Sequence, residues 1–144
     1  MTTRMDLATL EPEAYKAMFG LEKYIAGTEL TKQHYELIKI RSSQINGCAF
    51  CLNMHTKDAR KLGETEQRLY TLSAWRDTNF FTKEEQAILA LTEEVTLISN
   101  HVSDATYNNA VAVLGEKYTA HVLMACIVIN GWNRIAITTG LMPE

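Results

Sequence analysis

Proline is nearly missing from this chain. Two occur in 144 residues: Pro12, where a helix can begin, and Pro143, at the end. The interior is therefore free to be helical throughout. Alternating apolar and polar residues flanking an Asn-Gly or Asp-Gly hairpin turn are also lacking, which argues against a sheet. No block of five like charges occurs and the formal net charge is only −3, so neither nucleic acid nor an anionic membrane is an expected partner. The opening residues, MTTRMDLATLEPEAY, contain acids and no apolar core of signal-peptide length. With no run of 18 apolar residues further on, the expectation is a cytoplasmic protein. Cysteine is scarce and odd in number, three in all, which excludes a structural disulfide framework in a chain read as intracellular.

What is present is helical punctuation. Tyr15, Met18, Leu21 and Ile25 recur at helical spacing between Pro12 and a stop at Gly27. Thr31 caps a second helix, KQHYELIKIRSSQIN, with Leu37, Ile38, Arg41 and Ile45 on adjoining faces, and Gly47 ends it. A third helix is expected from Cys48 to Leu62, stopped by Gly63, then a short amphipathic segment carrying Leu69, Leu72 and Trp75 and a loop at RDTNFF. Thr82 and Glu85 form a capping box ahead of a face made by Ala87, Ile88, Leu91, Val95 and Ile98. Ser103 caps a helix ending near Gly115, and a last long helix runs to Gly140. The fold class is all-α: a single domain over residues 1–144, folded as a bundle of six or seven helices with short connections.

The chemistry gathers in INGCAFCLNMH, residues 45–55. On a helix, Cys48, Cys51 and His55 project from one narrow sector near its start. Free amides at a helix N-terminus favour a thiolate at Cys48 or Cys51, and His55, one turn beyond Cys51, can take its proton. The C-x-x-C spacing also lets the sulfurs meet if the first turn adjusts, so a sulfenic acid on one could be resolved by the other. Glu36, on the preceding helix, folds back beside the pair if the chain reverses at Gly47. Burial there is expected to raise its pKa toward that of a proton carrier. A zinc site built from Cys48, Cys51 and His55, with His34, His101 or His121 as fourth ligand, is the sharper competitor, although no second C-x-x-C or H-x-x-x-H pair supports it. Cys126, within HVLMACIVI, is read as a core thiol, and His34, His101 and His121 as solvent-exposed.

Glu36, eleven residues, Cys48-Ala-Phe-Cys51, three residues and His55 together resemble the signature of alkylhydroperoxidase D-like proteins in the carboxymuconolactone decarboxylase superfamily. HYELIKIRSSQINGCAFCLNMHTKDARKLG is similar to that family's core helix pair, FTKEEQAILALTEEVT to its next helix and INGWNRIAITTG to its closing helix. The resemblance implies an all-helical fold assembled as a homotrimer or homohexamer, and a thiol-dependent peroxidase of alkyl hydroperoxide reductase type serving antioxidant defence. No cofactor and no metal is expected. Cys51 would attack the peroxide, Cys48 would resolve the product, and Glu36 and His55 would relay protons. Hydroperoxide is the implied substrate, and an external dithiol, lipoyl-bearing or thioredoxin-like, the implied reductant. Dipole reasoning alone would favour Cys48, whereas the family pattern and the one-turn spacing to His55 favour Cys51. Phe50 stands where the best-known members carry a second histidine. A redox sensor or partner-binding protein switched by the same disulfide is the alternative from another class, and a lactone decarboxylase is disfavoured because that branch lacks the cysteine pair.

Overall fold

A computed structural model describes residues 3–144. Among them are eight α-helices and no strand: α1 (Leu7–Leu10), α2 (Pro12–Ala26), α3 (Lys32–Asn46), α4 (Ala49–Lys61), α5 (Glu66–Thr71), α6 (Lys83–Thr96), α7 (Asp104–Leu114) and α8 (Glu116–Thr139). Most ends fall where local chemistry puts them. The side chains of Thr31, Thr65, Thr82 and Ser103 each accept an amide of the following first turn, and Thr82 and Glu85 form the complete capping box. The sequence pattern misses α1, a single turn capped by Asp6. It also extends the α6 face too far: Leu97 breaks the helix, and Ile98 lies 59% exposed in a following 3₁₀ turn. Trp75 and Arg76 likewise belong to a 3₁₀ segment, Leu72–Asp77, which takes in the start of the expected loop.

α3 is the axis of the bundle. It packs along α4, α6 and α8, burying Leu37, Ile38 and Ile40 completely or nearly so. α8 is long and apolar enough to cross a bilayer, but here it supplies Val122, Ala125, Cys126, Val128 and Ile129 to the main core beside Ile25, Ile38 and Ile88. Cys126 is therefore a core thiol, wholly buried, and burial pushes its pKa up to about 12.

The reversal between α3 and α4 places the chemistry. Gly47 adopts a left-handed conformation, φ 70° and ψ 35°, which a residue with a Cβ enters only at a cost. Its amide and that of Cys48 both donate to the Ser43 carbonyl, closing the end of α3. The turn is then pinned to α8 by a buried amide network. Asn46 Nδ2 donates to Asn130 Oδ1 and Asn133 Oδ1, each at 2.9 Å, and Asn133 Nδ2 donates to Ser43 Oγ at 3.0 Å. Ser43 and Asn133 are fully buried, so breaking this network strands polar groups where water cannot reach them.

Candidate active site

Cys48 is the N-cap of α4 rather than its first helical residue, and its Sγ accepts the Cys51 amide at 3.3 Å. That non-helical backbone is the adjustment the spacing requires: the Cα atoms lie 5.3 Å apart and the two sulfurs are joined as a disulfide. Cys48 and Cys51 are only 1% and 3% exposed, packed with Ala136 of α8 beneath Phe50 and Leu141.

The two sulfurs differ in access. A cleft of about 470 Å³ reaches Cys51 and His55 but is not lined by Cys48. Its apolar walls are Tyr15 and Phe19 of α2, Phe50 and Met54 of α4, and Trp132 and Ile135 of α8. Phe50 thus has a place, as cleft wall. Tyr15, Phe19 and Trp132 form a mutual cluster with ring centroids 5.4–6.1 Å apart. Glu22 anchors that wall, accepting Tyr35 Oη at 2.8 Å and Trp132 Nε1 at 3.0 Å.

Behind His55 stands Glu36. His55 Nδ1 lies 3.3 Å from Glu36 Oε2, a contact rather than an aligned hydrogen bond, and neither atom has another polar partner. The second oxygen, Oε1, faces the Lys39 ammonium at 2.8 Å. The expectation that Glu36 would be raised toward a proton carrier is overturned. Burial does push its pKa up, but His55 and the Lys39 cation outweigh it and hold the carboxyl below its ordinary value. Glu36 is an ionised carboxylate near neutral pH. An anion at Nδ1 favours the tautomer that carries the proton there and leaves Nε2 as the free base.

The disulfide stands against the zinc reading. Cys48 and Cys51 are bonded to each other rather than offered as separate thiolate ligands, and the one metal-competent cluster among the described residues is Glu36, His55 and Asp58, with ligand atoms within 4.8 Å of one another. There the Lys39 ammonium already supplies a cation. Nor are the other histidines all exposed. His34 is half-buried, its Nδ1 2.6 Å from Tyr118 Oη, and desolvation lowers its pKa; His121 is buried beside the same tyrosine. Only His101 is exposed, in the α6–α7 connection with φ 62°. Lys39, Glu22, Asp58 and the aromatic wall escape sequence reasoning. The only local signal among them is the three-residue spacing of Glu36 and Lys39, which puts both on one helix face.

Residues 12–94 match the carboxymuconolactone decarboxylase family. The chain is 45% identical over 141 residues to an uncharacterized protein, YdfG, of Bacillus subtilis (strain 168), covering 97% of this chain and 96% of that one. A protein of unknown function from Agrobacterium tumefaciens, provisionally named antioxidant defence protein AhpD, superposes with a TM-score of 0.96 at 35% identity, over 99% of both chains. The debrominase Bmp8, solved with 2,3,4-tribromopyrrole, shares the fold with a TM-score of 0.85 at 17% identity, over 94% of this chain and 73% of that one. By these matches, together with the all-helical fold and the C-x-x-C pair at bonding distance, the chain belongs to the carboxymuconolactone decarboxylase family and is AhpD-like.

Proposed function

We propose that the protein is a thiol-dependent peroxidase reducing organic hydroperoxides, in the manner of an alkyl hydroperoxide reductase. The observation that carries this reading is the apolar cleft reaching Cys51 and His55, with the Glu36 carboxylate set behind the imidazole. A disulfide that merely switched a partner surface needs no such cavity. Access also favours Cys51 over Cys48 as the attacking thiol, because the N-cap sulfur lies behind the cleft.

In the reduced protein His55 takes the Cys51 proton. The thiolate attacks the terminal peroxide oxygen, the O–O bond breaks, and the departing alkoxide takes that proton back from His55 and leaves as alcohol. The peroxide is reduced by two electrons and Cys51 becomes a sulfenic acid. The Cys48 thiol then displaces hydroxide from that sulfur, forming the disulfide and releasing water. An external dithiol returns two electrons and two protons and is itself oxidised to a disulfide. Glu36 does not carry a proton in this scheme; it holds the imidazole. The cleft's aromatic and aliphatic walls suit a hydroperoxide with a bulky apolar body, and a dithiol on an extended arm, such as a dihydrolipoyl group, can reach Cys51 through the same cleft. A thioredoxin-like dithiol is the other class of donor, and assembly as a homotrimer or homohexamer in the reducing cytoplasm completes the proposal.

Cys51→Ser protein, given cumene hydroperoxide and excess dithiol, should lose turnover by at least about a thousandfold, since the nucleophile itself is gone. Turnover at the wild-type rate would sink the assignment. Running the wild type with dihydrolipoamide, thioredoxin and dithiothreitol in parallel identifies the donor class.

A further inference from the structure

Among the described residues, Lys39 is the one buried cation that the reaction scheme leaves without a role. Its side chain is 10% exposed, Nζ stands 2.8 Å from Glu36 Oε1, and the same ammonium lies 3.9 Å from the centroid of the Tyr35 ring. It lines the cleft that reaches Cys51, and it lines a second cleft of about 400 Å³ on the far side of Glu36, bounded also by Tyr35, Asp58 and Lys61. An ammonium loses hydration and rotamer freedom in such a place, whereas a methionine there would gain from burial. The charge is therefore poorly explained by stability and well explained by its partner.

That partner has two oxygens with different tasks. Lys39 takes Oε1 and leaves Oε2 to His55 Nδ1. Without the cation, burial would favour the protonated carboxyl, whose O–H could turn toward Nδ1 and demand an acceptor there. The imidazole proton would then move to Nε2, leaving no free base for the Cys51 thiol.

We propose that Lys39 is a positioning residue: acting through Glu36, it keeps His55 in the tautomer that can accept the Cys51 proton. The inference rests on the peroxidase reading only in taking Cys51 as the reactive thiol. Other titratable groups line the surroundings of Glu36 as well. Tyr35 shares its helix, Glu22 approaches from α2, and His55, Asp58 and Lys61 come from α4, with Lys32 at the rim of the second cleft. Lys39 is the only cation among them at hydrogen-bonding distance from the carboxylate.

The test is the rate of iodoacetamide alkylation at Cys51 in the reduced full-length protein, followed against pH by peptide mass spectrometry. Wild type, Lys39→Met, Lys39→Arg, Glu36→Gln and the Lys39→Met/Glu36→Gln double variant are compared. Losing the cation should move the acid limb of the Lys39→Met profile upward by about one pH unit or more, and Lys39→Arg should restore it. In the Glu36→Gln background the same Lys39→Met change should shift nothing further. A Lys39→Met profile that superimposes on wild type overturns the proposal. So does a shift that persists without Glu36, because the charge would then act on Cys51 directly. Should Lys39→Met not fold, Lys39→Gln keeps a donor on Glu36 without the charge and must show the same shift. Alkylation needs no peroxide, so a wild type inert to every hydroperoxide but showing these shifts would remove the peroxidase reading and leave Lys39 in place.

Discussion

Glu36 and Glu85 lie at similar depth, 8% and 6% exposed, and each faces a cation, Lys39 or Arg68. Both carboxyls are pushed up by burial and pulled further down by their partners, so both are held below the ordinary value. The difference is in what remains free. Glu85 has nothing left over: Oε1 accepts the Thr82 amide at 2.9 Å and Arg68 Nη1 at 3.0 Å, while Oε2 meets Arg68 Nη2. Arg68 in turn bonds Glu64 and the Phe80 carbonyl, tying α5 to the start of α6. Glu36 spends one oxygen on a point charge and presents the other to an imidazole with no other partner. A closed fork holds structure, and an open one is available for chemistry.

The largest effect that could break this comparison is kinetic. Glu36→Gln should lower peroxide turnover by about a hundredfold, because His55 loses the carboxylate that sets its tautomer and with it most of its acid–base contribution, and any fall in unfolding midpoint should be small beside that loss of rate. A large fall in midpoint with turnover intact would put Glu36 in the same class as Glu85. The converse substitution is next. Glu85→Gln should cost about 2 kcal/mol in denaturant unfolding, because it removes one of the two carboxylates that hold the half-buried Arg68 fork and leaves only Glu64 on it, while turnover stays at the wild-type level.

Acidity should sharpen the contrast. Each depressed carboxyl contributes stability that is fully present above its unfolded value, 4.5, and is lost as pH falls through the lower folded value. Urea midpoints taken from about pH 6 to about pH 3 should therefore drop in the wild type, and the drop should be shallower in Glu85→Gln. An unchanged slope would mean the Arg68 fork does not stabilise the folded state as drawn. The smallest effect belongs to the other thiol. With its pKa pushed to about 12, Cys126 carries no useful thiolate at neutral pH, so native alkylation should spare it. Cys126→Ala should cost about 1 kcal/mol by loss of packing and leave turnover unchanged.

The comparison also marks where local pattern stopped being informative. Thr82 and Glu85 are legible as a capping box because both partners lie within one turn, and so are Gly27, Gly47, Gly63, Gly115 and Gly140 at or just beyond helix ends. The spacing of Cys48, Cys51 and His55 is legible for the same reason. The ionisation of Glu36 is not. It turns on burial, which raises the pKa and is foreseeable, against a cation three residues along the same helix and an imidazole whose distance only the packing of α4 on α3 sets. The burial of His34 is illegible for a related reason: it is covered by Tyr118, a residue more than 80 positions away.

By itself, then, the sequence determined the helical class, nearly every helix boundary, the turn at Gly47 and the dithiol with its histidine, all of them consequences of dihedral preference and contacts within a few residues. Tertiary structure alone decided that Cys51 rather than Cys48 meets a cleft, that α2 and α8 wall it with aromatic rings, and that the Glu36–Lys39 pair is buried with His55 against its free oxygen. Those outcomes depend on desolvation and on charges brought together by packing, and no spacing rule along one helix can encode them.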